Sequence, residues 1–147
     1  MILSGNLIRQ RNILSPFREK YKYRGMSGGL SVASYDVAIA EAVLLGPRQF
    51  KLASTVEHFI MPLDVCADVK DKSTWARLGL DVKNTFIDPG WRGYLTLEIS
   101  NNTDDILEIY ANSPIAQIVF SEILEPETSG YEGKYQDQKR GPQVPIV

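Results

Sequence analysis

Cysteine and histidine are nearly absent: Cys66 and His58 are the only ones in 147 residues. A single thiol makes no intramolecular disulfide, which fits a reducing cytosol and leaves the fold to packing. Zinc sites usually draw several ligands from Cys and His, and this pair cannot supply them within one chain. Ser-His-Asp or Cys-His chemistry would rest on His58 alone, a poor basis for a triad. Any hydrolytic or proton-transfer chemistry therefore falls to carboxylates, hydroxyls, lysine and arginine. An excess of one charge is also lacking, with 16 Lys and Arg against 18 Asp and Glu. Without a global positive field the chain does not read as a duplex nucleic-acid binder. No apolar run approaches a membrane span, and Met1-Ile2-Leu3-Ser4 lacks the long apolar core of a signal peptide. The expectation is a soluble, cytoplasmic protein with no nucleic-acid and no membrane partner.

What is present is a length and an apolar content of 44% that suit one domain with a sizeable core. Ser4 is placed to cap a short helix whose apolar stripe is Ile2, Leu3, Leu7 and Ile8. Ser15 to Arg24 is basic and aromatic, and is read as a solvated loop rather than a phosphate-binding patch. From Leu30 onward, short apolar alternations recur between turn residues. Phe50, Leu52, Val56 and Ile60 keep period two, with His58 on the same parity. Leu63 to Val69, Gly93 to Ser100, Ile106 to Ala111 and Ile115 to Ile123 continue the pattern. Such spacing predicts a mainly β barrel or double-sheet roll with one or two short helices. The tail from Glu125 is polar and cannot build a core, so it reads as a mobile or partner-ordered arm.

Three segments can carry chemistry. In Lys72 to Gly79, Ser73 suits an N-cap and Gly79 a stop, giving a one- to two-turn helix. Its free amides, with Lys72, Ser73 and Thr74, could hold an anion, although an ordinary capped turn explains the same pattern. Asp88-Pro89-Gly90 is a turn signal; Trp91 either packs on a sheet or, with Asp88, shapes the mouth of a sugar pocket. In Tyr94 to Ser100, Leu95, Leu97 and Ile99 face one way and Glu98 the other. By default Glu98 points into water; lining a closed cleft, it would bind its proton more tightly and suit proton transfer.

Met1-Ile2-Leu3-Ser4, Ser34-Tyr35-Asp36-Val37, Leu52-Ala53-Ser54-Thr55-Val56-Glu57, Lys72 to Leu80, Ile87 to Gly93 and Leu97-Glu98-Ile99-Ser100-Asn101 occur here in one order. That ordered set, running almost from end to end, resembles the dCTP deaminases of the trimeric dUTPase-like superfamily. Gly133 to Gln138 and Arg140-Gly141-Pro142 also resemble that family's C-terminal arm. The resemblance implies a dUTPase-like distorted β-barrel over residues 1–124 and an arm, 125–147, closing over an active site. It implies a homotrimer with sites between subunits. It also implies zinc-independent deamination, with Glu98 as general base toward a water attacking the amino-bearing carbon of cytosine. Ser73 would hold that water and Arg77 would order the carboxylate. Lys72, where the family usually has Arg, keeps a positive charge for triphosphate but loses the bidentate fork. Asp88 would bind the deoxyribose hydroxyl and Trp91 would exclude a ribonucleotide. Tyr131, Lys134 and Gln138 would contact phosphates, and Mg2+ would arrive on the triphosphate with no protein metal site.

Two departures stand out against that family. The stretch between Arg77 and Asp88 is shorter, with Asn84-Thr85-Phe86 directly before Ile87, and the arm between Tyr131 and Lys134 is compressed. The leading reading is a dCTP deaminase of pyrimidine deoxynucleotide metabolism, releasing dUTP and ammonia. The trimmed loop and the Gln-Lys-Arg-Gly-Pro ending keep open a bifunctional enzyme yielding dUMP, or a plain dUTPase. A catalytically inactive nucleotide-binding regulator is the third reading, and joint retention of Ser73, Arg77, Asp88 and Glu98 speaks against it.

Overall fold

Apolar alternation punctuated by Gly, Pro and Asn turns becomes twelve short strands and two helices in a computed structural model describing residues 1–147. Helix α1 spans Gly5–Arg11. Strands β1 Leu14–Ser15, β2 Tyr21–Tyr23, β3 Met26–Leu30, β4 Tyr35–Ala38, β5 Val43–Leu45, β6 Phe50–Ile60 and β7 Val65–Asp71 follow. Helix α2 is Ser73–Arg77, and β8 Leu80–Val82, β9 Phe86–Ile87, β10 Arg92–Asn101, β11 Leu107–Ile109 and β12 Pro114–Glu122 complete the chain. One sheet runs β1-β6-β10-β8, a second runs β2-β3-β4-β12-β7-β9, and β5 pairs with β11 as a separate ribbon. The two larger sheets enclose one continuous core, in which Tyr35, Phe59, Leu97, Ile118 and Phe120 are fully buried. The mainly β roll with two short helices is as expected, and no helix is long and apolar enough to cross a membrane.

Local rules explain most element boundaries. Ser4 Oγ accepts from the Leu7 amide at 3.4 Å and starts α1; Asn12, at φ 52°, ends it. Leu3 and Ile8 enter the core while Ile2 and Leu7 stay exposed, so half of the predicted stripe packs. The basic-aromatic segment is not a plain loop. Its second half is β2, hairpinned to β3 through Arg24 and Gly25, both at positive φ. Two of its arginines lie on aromatic faces, Arg18 over Tyr21 at 3.4 Å and Arg24 over Tyr110 at 4.0 Å.

Strand β6 buries the opposite parity to its apolar period. Ala53, Thr55, Glu57 and Phe59 face the core, whereas Phe50 and Ile60 are exposed and Leu52 and Val56 only half-buried. The core-facing polar groups are satisfied at an irregularity against β10. There Thr55 Oγ1 donates to the Glu57 carbonyl at 2.8 Å and accepts from Leu95 N at 3.1 Å. The Glu57 carboxyl accepts from Ala38 N at 3.0 Å. With 3% of its surface exposed and no cation bonded to it, burial pushes its pKa up to about 7.

That carboxyl couples stability to pH with a definite sign. In the unfolded chain it ionises in the ordinary carboxylate range, and in the folded chain only near pH 7. Stability from this group is therefore full at low pH and falls by up to about 3 kcal/mol as pH rises to neutrality and beyond. Glu57→Gln keeps an acceptor for Ala38 N and removes the charge. Urea unfolding at pH 5 and pH 8 should show the variant gaining on the wild type at the higher pH; parallel behaviour of the two proteins would contradict a neutral buried Glu57.

Candidate active site

The best-formed cleft, of about 480 Å³, opens on the face of β6 and β10 that the core leaves free. Along β10, Leu97 and Ile99 are fully buried, so strand alternation presents Glu98 to the other side, opposite Leu52 of β6. Glu98 lines the cleft, and desolvation there raises its pKa above the ordinary carboxylate value. The strand is entered through the predicted turn, where Trp91 N donates to Asp88 O at 3.3 Å and Gly90 takes φ 80°. Trp91 makes two sets of contacts here. It packs on Phe59 with ring centroids 5.9 Å apart, and it also lines the cleft beside Asp88.

The C-terminal segment roofs this cleft, held by polar bonds rather than by a core of its own. Tyr131 N donates to Pro89 O at 2.7 Å and the Gln136 amide to Gly90 O at 2.9 Å. Trp91 Nε1 donates to Tyr135 O at 2.8 Å, and Arg92 pairs with Asp137 at 2.9 Å. Gln138 bridges back to β10: its carbonyl accepts from Tyr94 N at 2.9 Å and its side-chain amide donates to Tyr94 O at 2.7 Å. Gly93, at φ 148°, is required at this contact, because a Cβ would sit 2.7 Å from Gln138 N. Farther on, Gly141 N reaches Ser54 Oγ at 3.1 Å and Gln143 N reaches Thr96 Oγ1 at 3.3 Å.

One chain thus brings Glu98, Asp88, Trp91, Tyr131 and Gln138 to a single cleft. Ser73, Thr74 and Arg77 are exposed on α2 and do not line it. Trp75 anchors that helix, donating Nε1–H to Pro114 O at 2.8 Å. Lys72, not Ser73, is its N-cap; no side chain caps the helix, and Ser73 is its first residue. Gly79, at φ 89°, terminates the turn as expected. Lys72 Nζ is paired with Asp36 at 2.9 Å, both side chains being only about a tenth exposed. Lys134 also lies outside the cleft lining, donating to the Ile146 carbonyl. No three His, Cys, Asp or Glu side chains form a metal-sized group.

Sequence reasoning missed several cleft residues, Leu52, Asn84 and Gln143 among them. Leu52 and Gln143 carried no signal beyond strand parity and a polar tail. Asn84 was noted only as part of a shortened loop, yet its side chain bonds the backbone on both sides of Leu97: Oδ1 accepts from Glu98 N at 2.9 Å and Nδ2 donates to Thr96 O at 2.6 Å.

Comparison with known proteins finds relatives of this chain in sequence and in fold. Residues 18–123 match the family described as dCTP deaminase-like. The dCTP deaminase of Nautilia profundicola is 34% identical over 91% of this chain and 90% of its own length. That of Acidobacterium capsulatum is 34% identical over 88% of each. Among solved structures, the EIAV dUTPase matches with a TM-score of 0.61 at 16% identity, covering 83% of this chain and 98% of its own. The dUTPase of Staphylococcus aureus phage phi11, whose structure describes a structural Mg(II) ion, gives 0.60 at 20% identity, covering 83% and 98%. These solved structures share the dUTPase fold with the roll described above.

The roof's attachment is testable at its indole. Trp91→Phe keeps an aromatic ring against Phe59 and deletes the donor to Tyr135 O. Loss of one such bond costs about 1 kcal/mol, or roughly fivefold in the docking equilibrium. Tryptic cleavage at Lys134, Lys139 or Arg140 should accelerate by about that factor, and an unchanged rate would show that the indole bond does not hold the segment.

Proposed function

Because this chain belongs to the dCTP deaminase-like family, we propose that it is a dCTP deaminase, hydrolysing the exocyclic amino group of dCTP to give dUTP and ammonia in pyrimidine deoxynucleotide metabolism. The observation that carries this reading is the desolvated Glu98 carboxyl sharing one cleft with Asp88 and Trp91. A carboxylate that binds its proton more tightly than usual is a better base toward water. Glu98 takes a proton from the attacking water as its oxygen bonds to the amino-bearing carbon of cytosine. It passes that proton to ring N3, then takes the second proton from the added hydroxyl and gives it to the amino nitrogen; the carbon–nitrogen bond breaks, ammonia leaves, and the new carbonyl makes the ring uracil. Asp88 accepts the deoxyribose hydroxyl, while Trp91 crowds the position a ribose 2′-hydroxyl would need.

The substrate is the magnesium complex of the triphosphate. Tyr131, Lys134 and Gln138 of the arm, residues 125–147, and Lys72 and Thr74 of the roll, residues 1–124, are its phosphate partners. Lys72 exchanges its pairing with Asp36 for that role. In this reading the protein works in the cytoplasm as a homotrimer, and α2 of one subunit brings Ser73 and Arg77 to the Glu98 of another. The exposure of all three polar α2 side chains supports this, as do the uncovered Phe50 and Ile60 at the ends of β6. Ser73 then holds the attacking water and Arg77 orders the carboxylate.

Incubation with dCTP and, separately, with dUTP in the presence of magnesium, followed by chromatography, tests the activity. Release of dUTP from dCTP is expected; dUMP from both substrates would instead mark a bifunctional enzyme, dUMP from dUTP alone a plain dUTPase, and binding without turnover a regulator. Glu98→Gln should lower ammonia release by roughly a hundredfold to ten-thousandfold while leaving nucleotide binding intact. The acid limb of kcat/KM should lie above the ordinary carboxylate range, since Glu98 must be ionised to act. Mixing Arg77→Ala chains with Glu98→Gln chains should restore activity that neither has alone, and failure of a folded mixture to do so would remove the shared site.

A further inference from the structure

We infer that Asn84 is the positioning residue of the Glu98 base, its carboxamide standing in for a missing strand beside the reacting carboxyl. This rests on the deaminase reading for its activity test and on geometry alone for its placement.

The argument starts from where β10 loses its neighbour. β8 pairs with the C-terminal part of β10, with Val82 opposite Ile99, and Lys83 N adds one more bond to Glu98 O at 2.8 Å. The chain then leaves this sheet. By Phe86 it is in β9, paired with Asp68 of β7 in the second sheet. The crossing strips β10 of a backbone partner at the residue that carries the base. Glu98 N–H and Thr96 C=O would be left unpaired at the wall of the cleft, where an unmade backbone bond is costly. Asn84 is the residue at the departure point, and a carboxamide is the side-chain equivalent of a peptide group. Its oxygen accepts from Glu98 N at 2.9 Å and its nitrogen donates to Thr96 O at 2.6 Å, completing the rung that the backbone abandons.

Two consequences bear on the chemistry. The backbone of Glu98 is held on this edge by Lys83 N and the Asn84 carboxamide, which fixes the point from which the carboxyl projects. Both polar edges of β10 beside the base are also closed to water, so the attacking water is not in competition with waters bound to open backbone groups. The other ionisable side chains lining the cleft are Asp88, Tyr131 and Tyr135. Asn84 itself lines it as a neutral group, bonded directly to the residue that must hold the charge.

Asn84→Ala deletes both bonds. Asn84→Asp keeps an acceptor for Glu98 N, loses the donor to Thr96 O and adds a negative charge beside the base. With dCTP as substrate, Asn84→Ala should lower kcat by on the order of tenfold to a hundredfold with little change in KM. Asn84→Asp should move the acid limb of kcat/KM to higher pH, because a like charge disfavours ionised Glu98. A purely structural role would lower thermal stability and leave that limb in place. Wild-type kcat in Asn84→Ala, or an unmoved limb in Asn84→Asp, overturns the inference. If the wild type releases no ammonia, it is the deaminase reading that fails. Asn84 is then judged by hydrogen exchange at the Glu98 amide, faster in Asn84→Ala, and by NMR titration of labelled Glu98, shifted upward in Asn84→Asp. Both unchanged would remove the positional role as well.

Discussion

The period-two alternation of β10 is the constraint on which the rest depends. Leu97 and Ile99 are anchored in the core on either side of Glu98, so the carboxyl cannot leave its face without drawing an apolar neighbour into solvent. The same strand begins at the Asp88 turn, receives the arm at Gly93 and Tyr94, and ends at Asn101. A pocket assembled along one strand inherits the rigidity of the sheet, which favours fixed geometry at the side chains that line it.

Polar side chains act here as local fasteners. Asn101, almost fully buried, donates to Gly46 O at 3.0 Å and Asp105 O at 2.7 Å and accepts from Thr103 N at 3.0 Å, tying the turns at the far end of β10 together. Glu41 grips Ser54 through both its backbone amide and its hydroxyl, and the same hydroxyl accepts from Gly141 in the arm. Asn84 belongs to this class of contact. Each such group satisfies backbone where the sheet is interrupted, and Asn84 does so at the wall of the cleft.

Strands were legible in the sequence wherever apolar alternation met turn residues, as in β6, β7, β10 and β12. The Ser4 cap and the Gly79 stop were legible too, because each follows from one residue's backbone chemistry. The inward face of β6 was not. Its apolar parity serves the cleft and the outer surface, while Thr55 is satisfied inward by bonds at the irregularity and the Glu57 carboxyl by the Ala38 amide of β4. The β2–β3 hairpin was hidden by its charge, since arginines lying on aromatic rings look like solvated ones on paper. For the cleft, Glu98, Asp88 and Trp91 came from the turn and the alternation, helped by the family pattern. Lys72, Ser73, Thr74 and Arg77 follow the same pattern, yet a single chain leaves them outside. The arm's placement escaped composition because its attachments are backbone carbonyls, amides and single side-chain bonds, none of which leaves a hydrophobic period.

The two tryptophans have a use unrelated to chemistry. Both indole N–H groups donate to main-chain carbonyls, Trp75 to Pro114 beside α2 and Trp91 to Tyr135 in the roof. Indole emission responds to the loss of such a bond and to the arrival of water. The chain therefore carries two native fluorophores on different parts of its architecture, one reporting the seat of the short helix and the other the seating of the tail. With either replaced by phenylalanine, the remaining signal isolates one movement, so lifting of the roof can be timed optically without attaching a dye.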